Sequence, residues 1–586
     1  MLIVALLLPL LAAIAAWFLD RVVPTRHIGY IAIGALFLSA VILTISGILY
    51  RLPLQLLSMP WIHLNDFTTT LTLRFDMLNW VVSVVVLFCS VAGMIGLIHS
   101  LPYALRNYGR LIALLMLHVS IIVIGIAAQD TPLRMFAWGA AALVGGILMR
   151  LSGSLPGSNA PLISVVGGIA GAILLLVATF WRQYIPLGAL PGTLIICWSL
   201  GAFLVMGLLP FHSYMSSLSS APAILALFLI PLGIPLLGVL AFIDMAATQA
   251  PLINDSWTIV LAVLAILSAI GCATGAIGAT RLRAMLGWHA STQFALIVLV
   301  AISDNRALLL GVPILLLNAI ISTVMIALAI AFIEMRSNTD NLSHIRTRAK
   351  IGVAGVVLLI AVASSIGIPG TIGFIARWWV ADVLLTKAPW VIIAFLICGS
   401  LQGLAWSVAL ASIWRRMPRG LASGNIIASA IPAWGVWLGS IILAAILFIG
   451  GIIPRFLWTL WLVPLQKRFA IDAVITPPSL PSPEQQLGLA GAALLIVIVP
   501  LLAARTRQRQ TAGPNEQSTT TVPSQATAES LSLLIGIVRA DWLLARAWQV
   551  LIRIGSGIQW ILRLGEERYY VAGLVMGLIV IVLMLM

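Results

Sequence analysis

The chain has 586 residues, of which 62% are hydrophobic and only 8% are charged, and its net charge is +15. A soluble domain carries about a quarter charged residues, so this composition excludes a water-soluble fold. The 32 Lys and Arg fall almost wholly in loops and at helix ends, where they set membrane topology and do not grip nucleic acid.

In chain order, Met1 to Phe18 lacks a positive start and a small-x-small cleavage site, so it reads as a retained first span and not as a signal peptide. Apolar runs follow at 28–50, 77–99, 109–128, 132–150, 161–181, 193–211, 221–246, 257–279, 284–302 and 306–334. Further runs lie at 351–384, 390–412, 427–451, 486–504 and 568–586. Each is long enough to cross about 30 Å of hydrocarbon as a helix. The expectation is an all-α polytopic membrane protein of about sixteen transmembrane helices. A transmembrane barrel would need short alternating segments instead.

One alternating set of loops holds 17 basic residues, Arg281, Arg283 and Arg336 among them, and the other holds 9, including Arg74, Arg134 and Lys387. Basic residues favour the cytoplasmic side, which predicts both termini outside. Cys89, Cys197, Cys272 and Cys398 lie singly in apolar runs with no CxxC pair, so no iron–sulfur or zinc site is read and no cofactor is expected.

Two spans are interrupted. The first runs from Gly207 through Pro210 and a serine-rich stretch to Pro222, and the second from Ser364 through Pro369 and Gly370 to Gly373. Proline removes a helical donor. Non-helical backbone at membrane depth persists only when it is buried in protein or lines water. Two broken spans about five helices apart predict a transporter-like internal repeat. The predicted organisation is N-terminal helices at 1–100, repeats at 101–250 and 251–415, additional helices at 416–504 and a polar linker at 505–528. An amphipathic surface or lateral helix is read at 529–567, with Arg539, Arg546 and Arg553 on one face, before a final span at 568–586.

At several of these places the chain resembles the antiporter-like subunits of respiratory complex I, Mrp antiporters and membrane-bound hydrogenases. Asp76-Met-Leu-Asn-Trp80 looks like the family's DGLS, and Met135-Phe-Ala-Trp138 like the stretch before its membrane glutamate. Leu209-Pro-Phe-His-Ser-Tyr214 resembles PLHTWLPDA, with Ala221-Pro222 after it. Arg283 to Gln293 resembles KRxLAYSTxSQ, and Gly367 to Phe374 resembles GIPPxxGF. The tail ending Glu566-Glu-Arg-Tyr-Tyr-Val-Ala-Gly573 looks like the lateral helix and last span of the L-type member. The resemblance implies two inverted repeats, proton translocation, and partnership with other membrane subunits of a complex I-like or hydrogenase-like assembly.

The departures fall on the family's proton path. Its glutamate is replaced by Gly139, its seventh-helix lysine by Val205, the lysine of HAFFKALLF by Ser322 and the histidine before that by Asn318. The lysine after GIPPxxGF is represented by Arg377. Lysine suits a relay because burial and a nearby carboxylate move its pKa, whereas arginine stays charged and valine, glycine and serine do not titrate. His118, His212 and His289 remain as candidate proton carriers, His212 foremost because it lies at the first break. Arg377 and Asp382 are expected to form an ion pair, Asp244 and Glu334 to be solvated, and Asp76 to cap its helix.

The function read from these residues is a membrane subunit of an NADH-quinone oxidoreductase-type assembly, impaired in or devoid of pumping. It has no catalytic centre of its own. Lipid and sibling subunits are its expected partners, with no nucleic acid, in a bacterial plasma membrane. The alternative is a stand-alone secondary transporter that binds a small solute at the broken helices.

Overall fold

A computed structural model describes residues 2–457 and 459, apart from 51, 65–66, 101–107, 153–157, 184–191, 250–254, 305–309, 338, 343–344, 346–351 and 414–433. The chain divides into two compact units, Met1–Val538 and Arg539–Met586, and the described residues all lie in the first. The expected span at 486–504, the linker at 505–528, the surface helix at 529–567 and the last span fall outside the described residues.

Among the described residues, eleven helices are long and apolar enough to cross a membrane. In order the helices begin with α1 (Leu2–Leu19), α2 (Thr25–Leu49), α3 (Met77–Ser100), α4 (Tyr108–Ala127), α5 (Thr131–Leu151) and α6 (Ala160–Gln183). Next are α7 (Gly192–Met206), α8 (His212–Leu218), α9 (Ala223–Leu229), α10 (Ile234–Gln249), α11 (Asp255–Gly278) and α12 (Leu282–Ser303). Then come α13 (Val312–Ser337), α14 (Gly352–Ile366), α15 (Ile372–Leu384), α16 (Pro389–Ile413), α17 (Trp434–Ile452) and α18 (Pro454–Leu457).

A helix that is apolar all round belongs inside a bundle. The apolar run of α13 is wholly buried, whereas those of α1 and α2 are only 39% and 33% buried and present their remaining side chains outward. The core is therefore built around α13, with α9, α12, α14 and α3 packed on it.

Two features depart from the expected spans. Residues between α2 and α3 form an antiparallel hairpin, β1 (Leu54–Leu64) with β2 (Phe67–Phe75), paired from Leu54 opposite Phe75 to Leu64 opposite Phe67. Bulges interrupt it between Gln55 and Leu57 and between Pro60 and Ile62. The hairpin is fastened to the turn between α4 and α5, where the Thr72 amide donates to Asp130 and the Gln129 amide donates to the Thr72 carbonyl. The run expected at 221–246 is interrupted at 230–233, where Pro231 cannot donate to the helix that precedes it.

Both expected breaks are present and are closed in the same way. After α7, the Gly207 amide donates to the Leu204 carbonyl (3.2 Å) and the Leu208 amide to Phe203 (3.0 Å). After α14, the Gly367 amide donates to Ser364 (3.1 Å) and the Ile368 amide to Ala363 (2.9 Å). These pairs are Schellman caps, which need a left-handed residue just past the helix. Gly207 and Gly367 supply it at φ 62° and 85°. Pro210 and Pro369 follow within three residues and prevent the helix from resuming. The first interruption is double, since the seven-residue α8 ends before Pro222 and α9 starts after it.

Candidate functional site

The first break is held by helices from later in the chain. The Leu209 amide donates to Ser268 Oγ of α11 (3.2 Å), and Ser291 Oγ of α12 donates to the Gly207 carbonyl (3.0 Å). His212 opens α8 and stacks on Trp288 of α12, with ring centroids 5.3 Å apart and planes at 22°. A small cleft lies between these two helices, lined by His212, Met215, Ser216 and Ser219 on one wall and Ala284, Gly287 and Trp288 on the other. Trp288 and Ser216 did not stand out in the sequence, because only the packing of α8 on α12 brings them to the break.

The second break carries a buried polar network. His289 is fully buried, and its Nδ1 accepts from Trp406 Nε1 of α16 (3.2 Å). Its carbonyl accepts from Gln402 Nε2 (3.4 Å), and Gln402 Oε1 accepts from Gln293 Nε2 (2.8 Å). The Ser365 carbonyl, just before the break, accepts from Arg377 Nη2 (2.6 Å) and more weakly from Gln293 Nε2 (3.5 Å). Beside it Ser364 Oγ donates to Asn318 Oδ1 (2.6 Å), and Ser322 Oγ donates to the Asn318 carbonyl (2.6 Å). The structure thus brings His289 and Arg377 into one network and Asn318 and Ser322 beside it. The amides of Gln293 and Gln402 are a signal in the sequence as well, because a glutamine inside an apolar run needs a partner there.

A single-sided change in this network leaves a buried amide unsatisfied, at a cost of about 1–3 kcal/mol, whereas removing both partners is far cheaper. Gln402→Leu is expected to lower the denaturation midpoint of the detergent-solubilised protein, and adding Gln293→Leu should recover part of that loss. A double variant no more stable than Gln402→Leu would refute the pairing.

Arg377 does not pair with Asp382. Five residues apart, the two side chains leave their helix about 140° apart. Arg377 Nη1 instead donates to the Phe395 carbonyl (3.3 Å), and its guanidinium lies 4.9 Å from the centre of the Phe395 ring. Its Cδ lies where a side chain on Gly367 would project, 2.5 Å from that glycine's missing Cβ. Asp382 is exposed.

Asp244 and Glu334 are likewise not simply solvated. Asp244 accepts from Arg134 Nη1 (2.7 Å), and Glu334 is paired with Arg283. Asp76 does cap α3, accepting from the Asn79 amide (2.9 Å).

The two positions where the resemblance would place a glutamate and a lysine have different surroundings. Gly139 is half-buried on the side of α5 that exposes Phe136, Leu143 and Ile147, and a Cβ there would meet nothing within 4 Å. Val205 is fully buried, and its two methyls fill notches at Gly171 of α6 and Gly238 of α10. A Cβ on either glycine would stand 2.3 or 2.5 Å from a Val205 methyl. His118 lies on α4 beside Gly145 of α5, on a different set of helices from His212 and His289.

The family described as NADH:quinone oxidoreductase/Mrp antiporter, TM, matches residues 128–403. Subunit N of NADH-quinone oxidoreductase from Acinetobacter baumannii (strain AB0057) is 25% identical over 261 residues, 42% of this chain and 51% of that one. The corresponding subunit from Alkalilimnicola ehrlichii is 25% identical over 263 residues, 43% of this chain and 50% of that one. The chain therefore spans about half the length of these curated relatives. The fold is shared with the Mrp complex from Dietzia sp. DQ12-45-1b (TM-score 0.70, 17% identity, 94% of this chain and 60% of that one). It is shared also with respiratory complex I from Thermus thermophilus with bound NADH (TM-score 0.63, 18% identity, 80% of this chain and 99% of that one). The curated relatives are N-type subunits, whereas the likeness to the L-type member rests on the tail, outside the described residues.

Proposed function

We propose that this chain is an antiporter-like membrane subunit of the complex I/Mrp kind, that it occupies an antiporter position in a multisubunit membrane assembly, and that it is impaired in proton translocation. The carrying observation is the surroundings of Val205. A relay needs a group that takes up and releases a proton inside the bilayer. Here an apolar side chain is interlocked with two glycines at the position where such a group would stand. Asn318 and Ser322, at two further positions, are neutral and engaged with Ser364 and with each other. Removing both members of a charged pair leaves no orphan charge, so the shell stays stable without its switch.

In this reading the protein sits in a bacterial plasma membrane with the face bearing Arg281, Arg283 and Arg336 toward the cytoplasm and with sibling membrane subunits at its sides. The neighbour complexes are multisubunit, which supports the assembly reading over a solitary transporter.

The test is proton flux per electron of the assembly isolated through this subunit and reconstituted in sealed vesicles. His212→Ala should leave the ratio unchanged. A fall in that ratio, with electron transfer intact, would mean that protons still travel through the first break and would overturn the proposal.

A further inference from the structure

The cleft at the first break is spanned at one end by a pair of charges. Its lining includes the stacked rings of His212 and Trp288, Ser219 on one wall and Ala284 on the other. Immediately past those residues, Arg283 Nη1 reaches from the start of α12 to the Ser220 carbonyl (3.4 Å), across the gap between α12 and the end of α8. The same guanidinium is paired through Nε with Glu334 Oε1 at the end of α13. The other oxygen, Glu334 Oε2, accepts from the Ala223 amide (3.2 Å), the first residue of α9. Arg283 thus ties together the two segments that flank Pro222, with Glu334 as the anchor.

The anchor is itself braced. Arg283 Nε lies 3.8 Å from Asp340 Oδ2, and Arg281 Nε lies 3.9 Å from Asp340 Oδ1. The backbone after α13 is paired to the turn before α12, the Leu282 amide donating to Asp340 and the Leu342 amide to Thr280. Arg283 and Glu334 retain only 28% and 13% of their side-chain surface, so the pair is sheltered from the screening that weakens a surface ion pair. By contrast, the double interruption at 207–211 and 219–222 leaves α8 a seven-residue piece with no helical continuation at either end. The non-helical residues on either side of α8 are of the kind that absorb a hinge motion.

We propose that Arg283 and Glu334 form a latch across the mouth of the His212 cleft, and that its release lets α8 move off α12 and admits water to His212. The latch is a positioning device: it acts through Ser220 and Ala223 and touches no reacting atom. It goes beyond the impaired-translocation reading and holds whether or not protons travel past His212.

The experiment places a thiol under the latch. Ser219 is 4% exposed and lines the cleft, so Ser219→Cys is a conservative probe. The full-length protein in sealed membrane vesicles is treated with a membrane-impermeant maleimide on the face bearing Arg281 and Arg336, with the Ser219 chain as background for the four native cysteines. Labelling should be slow in the latched protein and about tenfold faster or more when Arg283→Gln or Glu334→Gln is added. Glu334→Gln retains an oxygen for the Ala223 amide, so it removes the charge pair while keeping the α9 contact. Arg283→Lys keeps the charge but lacks the fork that reaches both Glu334 and Ser220, and should fall between. It also serves if Arg283→Gln does not assemble. Equal labelling rates in the latched protein and in the assembled variants would overturn the latch. Proton flux is not read here, so failure of the latch and failure of the impaired-translocation reading are separate results.

Discussion

Val205→Lys is expected to abolish accumulation of the folded protein. The side chain it replaces is fully buried, with its methyls in the notches at Gly171 and Gly238. An ammonium placed there would stand in this tightly packed position, and an uncompensated buried charge costs about 3–5 kcal/mol. That is a large share of the ~5–15 kcal/mol by which a domain is stable. The extra length adds overpacking, so Val205→Met separates the two effects and should cost about 1–3 kcal/mol for size alone. The measurement is monodisperse protein recovered from membranes, with its thermal midpoint, for both variants side by side. If Val205→Lys were as stable as Val205→Met, a counter-charge or water would reach this position, and the packing argument for impaired translocation would collapse.

Gly373→Ala should be the most damaging glycine substitution at the second break. A Cβ there would lie 1.9 Å from the Ser364 carbonyl oxygen and 2.9 Å from Asn318 Nδ2. The start of α15 packs that closely on the end of α14, so backbone must shift, and the Ser364–Asn318 hydrogen bonds go with it. Overpacking of this kind costs about 1–3 kcal/mol and sometimes more, to which a lost buried hydrogen bond adds about 1. Gly370→Ala is the control for backbone conformation alone. Gly370 has φ 87° but open space around its missing Cβ, so only the left-handed penalty of about 1–2 kcal/mol applies. Chemical denaturation of the two variants should rank Gly373→Ala well below Gly370→Ala. The reverse order would show that the break is held by its φ angles and not by the contact of α15 with α14.

Both substitutions probe what could not be read along the chain. The β1–β2 hairpin carries a local signal, since Thr68, Thr69, Thr70 and Thr72 are β-branched. Its strands, of 11 and 9 residues, are too short to span hydrocarbon as helices and lie between the runs that do. The solvated reading of Glu334 failed for a different reason. Its partner Arg283 is 51 residues away, and nothing local marks a carboxylate at a helix end as paired.

The sequence by itself determined the membrane class, most of the helix positions and both broken spans, because those depend on composition and on bonds within a few residues. A Schellman cap needs a glycine at one position and tolerates a proline soon after, and Gly207, Pro210, Gly367 and Pro369 declare that in one dimension. Only the tertiary structure decided that Val205 interlocks with two other helices, that the side of α5 bearing Gly139 is the one that exposes Phe136, Leu143 and Ile147, and that Gln293 meets Gln402. It also set Arg283 across the cleft to Ser220. Which side chains meet between helices follows from rotation and crossing, and these are fixed by how all the helices pack at once.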